Sequence, residues 1–218
     1  METKSELFRD EYFVENKPGY EFVKRLFDIV ICSFGLIVLS PLFALIALLI
    51  KLDDGGPVFY VQTRLTKDGK PFQMYKFRTM EIDADRKRSE MEKCNEMNGP
   101  VFKIKDDPRI TKFGAFLRMS SMDELPQFVN IVKGEMSIVG PRPPIPKEVE
   151  AYTERQKHRL DVKTGLVCYR EVNGRSKIHD FNQWAEMDLK YIRERGVLTD
   201  LRIFFKMIVV VFTANGAE

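Results

Sequence analysis

A large excess of charge of one sign is missing from this 218-residue chain: 35 lysines and arginines stand against 32 acids, a net charge of +3. That balance does not indicate nucleic acid or another polyanion as a partner, although local basic patches can still matter. Cysteine is scarce. Cys32, Cys94 and Cys168 lie far apart with no C-x-x-C pair, which supports neither a disulfide framework nor a thiolate zinc site and fits a reducing compartment. The histidines, His158 and His179, stand singly in charged surroundings and read as surface residues rather than metal ligands. Internal repeats, low-complexity tracts and long Pro/Gly/Ser linkers are lacking too. With 44% apolar and 31% charged residues, a folding chain of one domain, with or without appendages, is expected.

Long apolar runs are absent but for one. "IVICSFGLIVLSPLFALIALLI", Ile29 to Ile50, carries no charge and is flanked by Lys24, Arg25 and Lys51. As an unbroken helix it would measure about 33 Å, enough to cross a hydrocarbon core. It exceeds the apolar core of a signal peptide, and no small-residue cleavage site precedes "KLDDGG". Ser40-Pro41 falls near its middle, where proline removes a helical hydrogen bond and clashes with the preceding turn, so a kink or break is expected. Cations on both flanks give no orienting asymmetry. A segment that dips in and returns and a kinked single-pass anchor both fit.

"GPVFYVQTRLTKDGKPFQMYKFRTM" reads as two strands around a Lys67-Asp68-Gly69-Lys70 turn. In a regular second strand Lys76 and Arg78 share one face, opposite Tyr75 and Phe77; a solvated face and a phosphate site both suit that pair. Glu81 to Asn98 is expected to form a charged surface helix closed by Asn98-Gly99-Pro100. "MSIVG" reads as a buried strand running into the extended "PRPPIP", which places Arg142 between Pro141 and Pro143 with little backbone freedom to lose on binding a planar anion. Asn173-Gly174 turns and presents Arg175 and Lys177. Phe181, Trp184, Met187, Asp188 and Tyr191 recur at near-helical spacing, the pattern of a packed helix. "LRIFFKMIVVVF" is too short to span and suits either an amphipathic helix in the headgroup layer or a core helix.

"SSMDELPQ" sets Asp123 and Glu124 side by side. Ser121 with Glu124 fits a capping box, and acids are favoured in a first helical turn. A carboxylate nucleophile must stay ionised and accessible, which a helix start also favours. The two readings are compatible. The helix continues through "LPQFVNIVKG" to Gly134, with Pro126 requiring an irregular first turn.

"KRLFDIV", "GPVFYVQTR", "KFRTM", "DPRITKFG", "LRMSSMDELPQ", "GEMSIVGPRP" and "NGR", in this order from about Lys24 onward, closely resemble the bacterial sugar transferase family of monotopic polyprenyl-phosphate phosphoglycosyltransferases. The resemblance implies transfer of a sugar phosphate from a UDP-sugar to membrane polyprenyl (undecaprenyl) phosphate, with release of UMP and initiation of an exopolysaccharide, capsule or other glycan. It makes Asp123 the nucleophile, through a covalent aspartyl phosphosugar, and Glu124 its neighbour, the two carboxylates holding Mg²⁺. By the same resemblance Lys76, Arg78, Arg118, Pro141, Arg142, Pro143 and Arg175 bind substrate, and Ser40-Pro41 breaks a re-entrant membrane helix.

The implied fold is α/β. An N-terminal segment, 1–23, and a re-entrant helix, 24–52, precede a small mixed catalytic domain with amphipathic interfacial helices, 53–218. The site would face the cytoplasm at the bacterial inner membrane, in contact with membrane lipid, with a homodimer compatible. The chain looks like the small form, without the multi-span domain of longer members. Thr164, Val167, Cys168 and Glu171 stand where the family usually has Pro, Thr, Gly and Gln, a departure expected to concern sugar choice or loop shape. A catalytically inactive membrane anchor or assembly partner on the same fold is the alternative.

Overall fold

The computed structural model describes residues 14–87, 91, 95–102, 104, 107–173, 178 and 180–213. Two helices open it, α1 (Pro18–Val38) and α2 (Ser40–Asp54). Between them Leu39 leaves helical geometry (φ −86°, ψ 1°). Ser40 Oγ donates to the Ile37 carbonyl at 2.8 Å, and Pro41 lies in the first turn of α2, where its missing N–H would have had no helical partner anyway. The pair is bent by 61°. Among the described residues no single helix is long and apolar enough to cross a membrane, whereas the bent pair together has the length and composition. Phe22, Leu26, Phe34, Ile37, Leu45, Leu48 and Leu52 are exposed along it, a far larger apolar surface than a water-facing helix carries.

Strands β1 (Phe59–Leu65) and β2 (Pro71–Phe77) form the expected antiparallel hairpin, with Phe59 opposite Phe77. At its tip Asp68 and Gly69 both take positive φ (59° and 69°), which an Asp-Gly pair tolerates and most side chains do not. The expected long surface helix is seen as one turn, α3 (Ala84–Lys87); residues 88–90 and 92–94 lie outside the described residues, and 95–100 are not helical. Next come α4 (Lys112–Met119), α5 (Gln127–Lys133), β3 (Ser137–Val139), α6 (Pro146–Glu150), α7 (Glu154–Lys157), β4 (Gly165–Val167), α8 (Tyr169–Val172), α9 (Phe181–Glu194) and α10 (Val197–Thr213). β3 is buried along its whole length, as its sequence required, and pairs in parallel with β4. The result is a mixed α/β arrangement of helices with, among the described residues, a pair of two-stranded sheets.

The main core joins Phe72 and Met74 of β2 to Ile131, Ile138, Val139, Val167, Leu189 and Ile203. Cys32 of α1 belongs to it, so the N-terminal helix is built into the domain. Its "KRLFD" face makes the attachment. Lys24 Nζ donates to the Val139 carbonyl at 2.8 Å and pairs with Asp200 Oδ2 at 2.5 Å. Arg25 donates to the carbonyls of Ile131 (2.5 Å) and Val132 (2.7 Å) at the end of α5, the first of which also accepts from Gly134 N. Asp28 Oδ1 accepts from Ile138 N at 3.0 Å.

α9 is the packed helix its spacing predicted, with Phe181, Trp184, Asp188 and Tyr191 buried. α10 has a buried side and an exposed apolar side. Ile203 is buried in the core, while Leu198, Phe205 and Val209 are exposed.

Candidate active site

The hairpin supplies the first wall. Residues directly opposite in an antiparallel pair project to the same side, so Lys76 shares a face with Tyr60, and behind them stand Gln62 with Met74 and Arg64 with Phe72. Lys76 Nζ reaches Glu124 Oε1 at 2.6 Å. Arg78, one residue past β2, is gripped by the end of α2: Nε donates to the Pro57 carbonyl at 2.6 Å, and the two terminal nitrogens take both oxygens of Asp54, Nη1 at 2.5 Å. That fork holds the Asp54 carboxyl down at about 2.

The second wall turns on Ser121. The expected capping box does not form: Ser121 is left-handed (φ 56°) and its side chain makes no cap bond. A serine placed where α4 has just ended must reverse the chain before the next helix begins, and a left-handed residue does this where an extended cap would not. A 3₁₀ turn, Met122–Glu124, follows, and Pro126 then stands immediately before α5, the irregular start its ring required. Asp123 is buried, with 8% of its surface exposed. Asn130, inside α5, binds the edge of β2 as a missing strand would, its Oδ1 accepting from Tyr75 N and its Nδ2 donating to the Gln73 carbonyl. The two acids are thus fixed against the hairpin. α4 is fixed too: a Cβ at Gly114 would lie 2.0 Å from the Thr79 carbonyl oxygen, and from that close seat Arg118 Nε reaches Thr79 Oγ1 at 2.8 Å.

The third wall is the extended run after β3. A Cβ on Gly165 would sit 2.0 Å from Gly140 N; with both residues glycine, Gly165 N donates to the Pro141 carbonyl and Gly140 N to the Val167 carbonyl. Arg142 then lies with its guanidinium 5.3 Å from the ring of Trp184, which also faces Arg170 at 4.3 Å and Arg159 at 5.6 Å. Arg64 Nη1 donates to the Pro143 carbonyl at 2.9 Å. Burial first, and the Arg142 charge second, push Arg64 down to about 10.

These walls enclose a cavity of about 900 Å³ lined by Lys76, Arg78, Arg118, Asp123, Glu124 and Arg142. Pro141 is buried and is not among the lining residues, and Pro143 lines a small adjoining pocket of about 20 Å³. Arg175 and Lys177 lie outside the described residues, and Ser40-Pro41 is at the helix bend, away from the cavity. Of the atypical stretch, Thr164 is wholly buried with its hydroxyl on Thr66, whereas Val167 and Glu171 line the cavity.

Sequence reasoning passed over Tyr60, Gln62, Arg64, Glu148 and Arg170, and took Trp184 only as core; all six line the cavity. The alternation Tyr60-x-Gln62-x-Arg64 opposite Lys76 was the signal available. No histidine or cysteine is among the lining residues, and no group of three or more acids, histidines or cysteines suited to a metal occurs among the described residues. Two adjacent carboxylates in a cavity with room for phosphate fit Mg²⁺, which takes few protein carboxylates and completes its shell with water and substrate oxygens.

A model of the family described as bacterial sugar transferase matches residues 19–214. The galactosyl transferase CpsE of Streptococcus agalactiae is 39% identical over 93% of this chain and 45% of its own length. The exopolysaccharide production protein ExoY of Sinorhizobium fredii is 41% identical over 89% of the chain and 87% of its own. The UDP-glucose:undecaprenyl-phosphate glucose-1-phosphate transferase of Escherichia coli is 38% identical over 89% of the chain and 41% of its own. The chain therefore spans less than half the length of two of these relatives.

Proposed function

Because the chain belongs to the bacterial sugar transferase family, we propose that it moves a sugar 1-phosphate from a UDP-sugar to undecaprenyl phosphate, releases UMP and so starts an exopolysaccharide or related glycan. The observation that carries this reading is the opening of Asp123 and Glu124 onto one cavity with Lys76, Arg118 and Arg142. A bare pair of acids would repel a nucleoside diphosphate; three cations on the same walls reverse that. The E. coli relative's name specifies the same donor and acceptor classes.

In this reading a carboxylate oxygen of Asp123 attacks the sugar-bearing phosphorus, the bond from that phosphorus to the bridging oxygen breaks, and UMP departs with the bond's electron pair. A phosphate oxygen of undecaprenyl phosphate then attacks the same phosphorus and the Asp123 carboxylate leaves, giving the lipid diphosphate sugar. Arg142 and Arg118 stabilise charge on the phosphate oxygens as each bond breaks. Glu124, held by Lys76, would hold Mg²⁺ together with Asp123; when bound, the ion neutralises phosphate oxygens. The bent α1–α2 pair enters and leaves the bilayer on its cytoplasmic side, and the exposed apolar side of α10 rests in the headgroup layer.

The test is to incubate detergent-solubilised protein with undecaprenyl phosphate and a panel of UDP-sugars, with and without Mg²⁺, and to measure UMP. Intact-protein mass spectrometry without acceptor should show an added sugar phosphate in wild type and none in Asp123→Asn. UMP formed only with both substrates present, and no adduct on rapid quenching, would demote Asp123 to a metal ligand. No UMP with any sugar would leave a catalytically silent anchor.

A further inference from the structure

Several buried arginines in this molecule have carboxylates within ion-pair distance, and Arg64 does not. Arg78 is paired with Asp54, Arg109 with Asp107 and Arg159 with Asp188. Arg64 is as deeply placed, 8% exposed, yet among the described residues no carboxylate lies within 4 Å of it. Its two terminal nitrogens rest on neutral oxygens, Nη1 on the Pro143 carbonyl and Nη2 on Gln62 Oε1 at 2.6 Å. Its Nε is buried with no hydrogen-bond partner. A guanidinium cannot shed its charge at neutral pH, so a buried one without an anion is costly.

Position indicates what would answer it. Arg64 lines both the large cavity and the small adjoining pocket, as do Arg142 and Lys76 together with the acids Glu124, which Lys76 already pairs, and Glu171. Arg142 is the like charge that most depresses Arg64, while the acids Glu148 and Glu124 partly offset the effect from beyond ion-pair range. Crowding cations around a recess is unfavourable until an anion enters it. The two arginines are also mechanically joined: Arg64 grips the carbonyl of Pro143, the residue after Arg142, so an oxyanion held by one is presented to the other in fixed geometry.

We propose that Arg64 and Arg142 form a two-arginine clamp for a phosphate oxyanion, Gln62 aiming the Arg64 fork and the buried Nε supplying the donor that awaits the ligand. The identification of that oxyanion with the donor's diphosphate or the lipid's phosphate rests on the proposed transfer; the clamp itself does not.

Trp184 is the chain's single tryptophan and stacks near Arg142, so its fluorescence reports the clamp without turnover. Inorganic pyrophosphate titrated into the detergent-solubilised full chain, without Mg²⁺, should give a saturable change. Arg64→Gln should weaken that binding about tenfold or more, and Arg64→Lys, which keeps the charge but loses the fork, should weaken it by an intermediate factor. Pyrophosphate should also raise the Tm of wild type and not of Arg64→Gln. If Arg64→Gln does not fold, Gln62→Ala carries the test, with several-fold weaker binding expected. Affinity within twofold of wild type in the folded variants, or no binding by wild type, overturns the clamp. In kinetics, a KM raised for the UDP-sugar alone assigns the oxyanion to the donor, and one raised for undecaprenyl phosphate alone to the acceptor. Pyrophosphate binding through Arg64 in a chain that releases no UMP would overturn the transfer and leave the clamp standing.

Discussion

Lys76 Nζ stands 2.6 Å from Glu124 Oε1, each side chain about a quarter exposed, and this contact joins the hairpin to the acidic turn across 48 residues of sequence. It sets the direction of the second acid independently of the first. Lys76→Met should therefore disturb Glu124 rather than merely remove a charge from the cavity. In a double-mutant cycle with Glu124→Gln, read from UMP release, the two losses should couple by about 1–3 kcal/mol. Additive losses would show that the pair does not act as a unit.

Arg142→Lys should not be conservative. Lysine keeps the charge but neither spreads over the Trp184 ring nor presents a planar fork to phosphate. A fall in kcat/KM for the donor of about tenfold or more is expected, with Tm little changed because the guanidinium is not a core element. Wild-type kinetics would remove Arg142 from the site.

The Asp54–Arg78 fork carries a pH signature. Its hydrogen bonds from Arg78 lower the Asp54 carboxyl from 3.8 to about 2, so the folded state favours the ionised form. That contribution is complete above the unfolded value and is lost as pH falls through the folded one. The Tm gap between wild type and Asp54→Asn should be steady near neutrality and shrink between about pH 4 and pH 2. A gap independent of pH down to about 2 would show that Asp54 acts through shape alone.

Much of this was readable from residue order. Asp68-Gly69 announced the hairpin tip, "MSIVG" the buried strand, Gly134 the end of α5 and Pro126 its irregular start, because each depends on local backbone limits. Ser121 was not readable. Ser-x-x-Glu is a sound cap pattern locally, and only the earlier end of α4 forces the serine left-handed. Arg64 was missed for a different reason: a cation alternating along a strand looks the same whether it faces water or a cavity, and the carbonyl that holds its guanidinium belongs to Pro143, 79 residues away. Trp184 was correctly taken as core, but its role as a wall behind Arg142 is set by a strand elsewhere in the chain.

Gly165→Ala tests the close seat beneath Arg142. A methyl group 2.0 Å from Gly140 N cannot be relieved by a rotamer change, so β3 and β4 must part. A loss of about 3 kcal/mol in denaturant unfolding is expected, with donor KM rising in whatever fraction stays folded. Unchanged stability would mean that the two strands separate freely.

Cysteine labelling tests the membrane reading. In a background lacking Cys94, cysteines at Asn16 and Asp53 bracket the bent helix pair. Both should resist an impermeant reagent in intact cells and react after permeabilisation. Labelling of Asn16→Cys alone from outside would make the segment a span, and the 61° bend a kink within it.

Lys24 and Asp200 meet across 176 residues, and this separation has a consequence for the order in which the molecule can be assembled. Lys24, Arg25 and Asp28 emerge early in synthesis, yet the carbonyls and amide they hold lie in the middle of the chain, and Asp200 comes near its end. Contacts so distant in sequence are slow to close, because the intervening chain must be ordered before they return any stability. The run bearing Arg142 therefore lacks its anchor until α10 docks, and the cavity is expected to take its final shape late, after the N-terminal helices that brace it are already made.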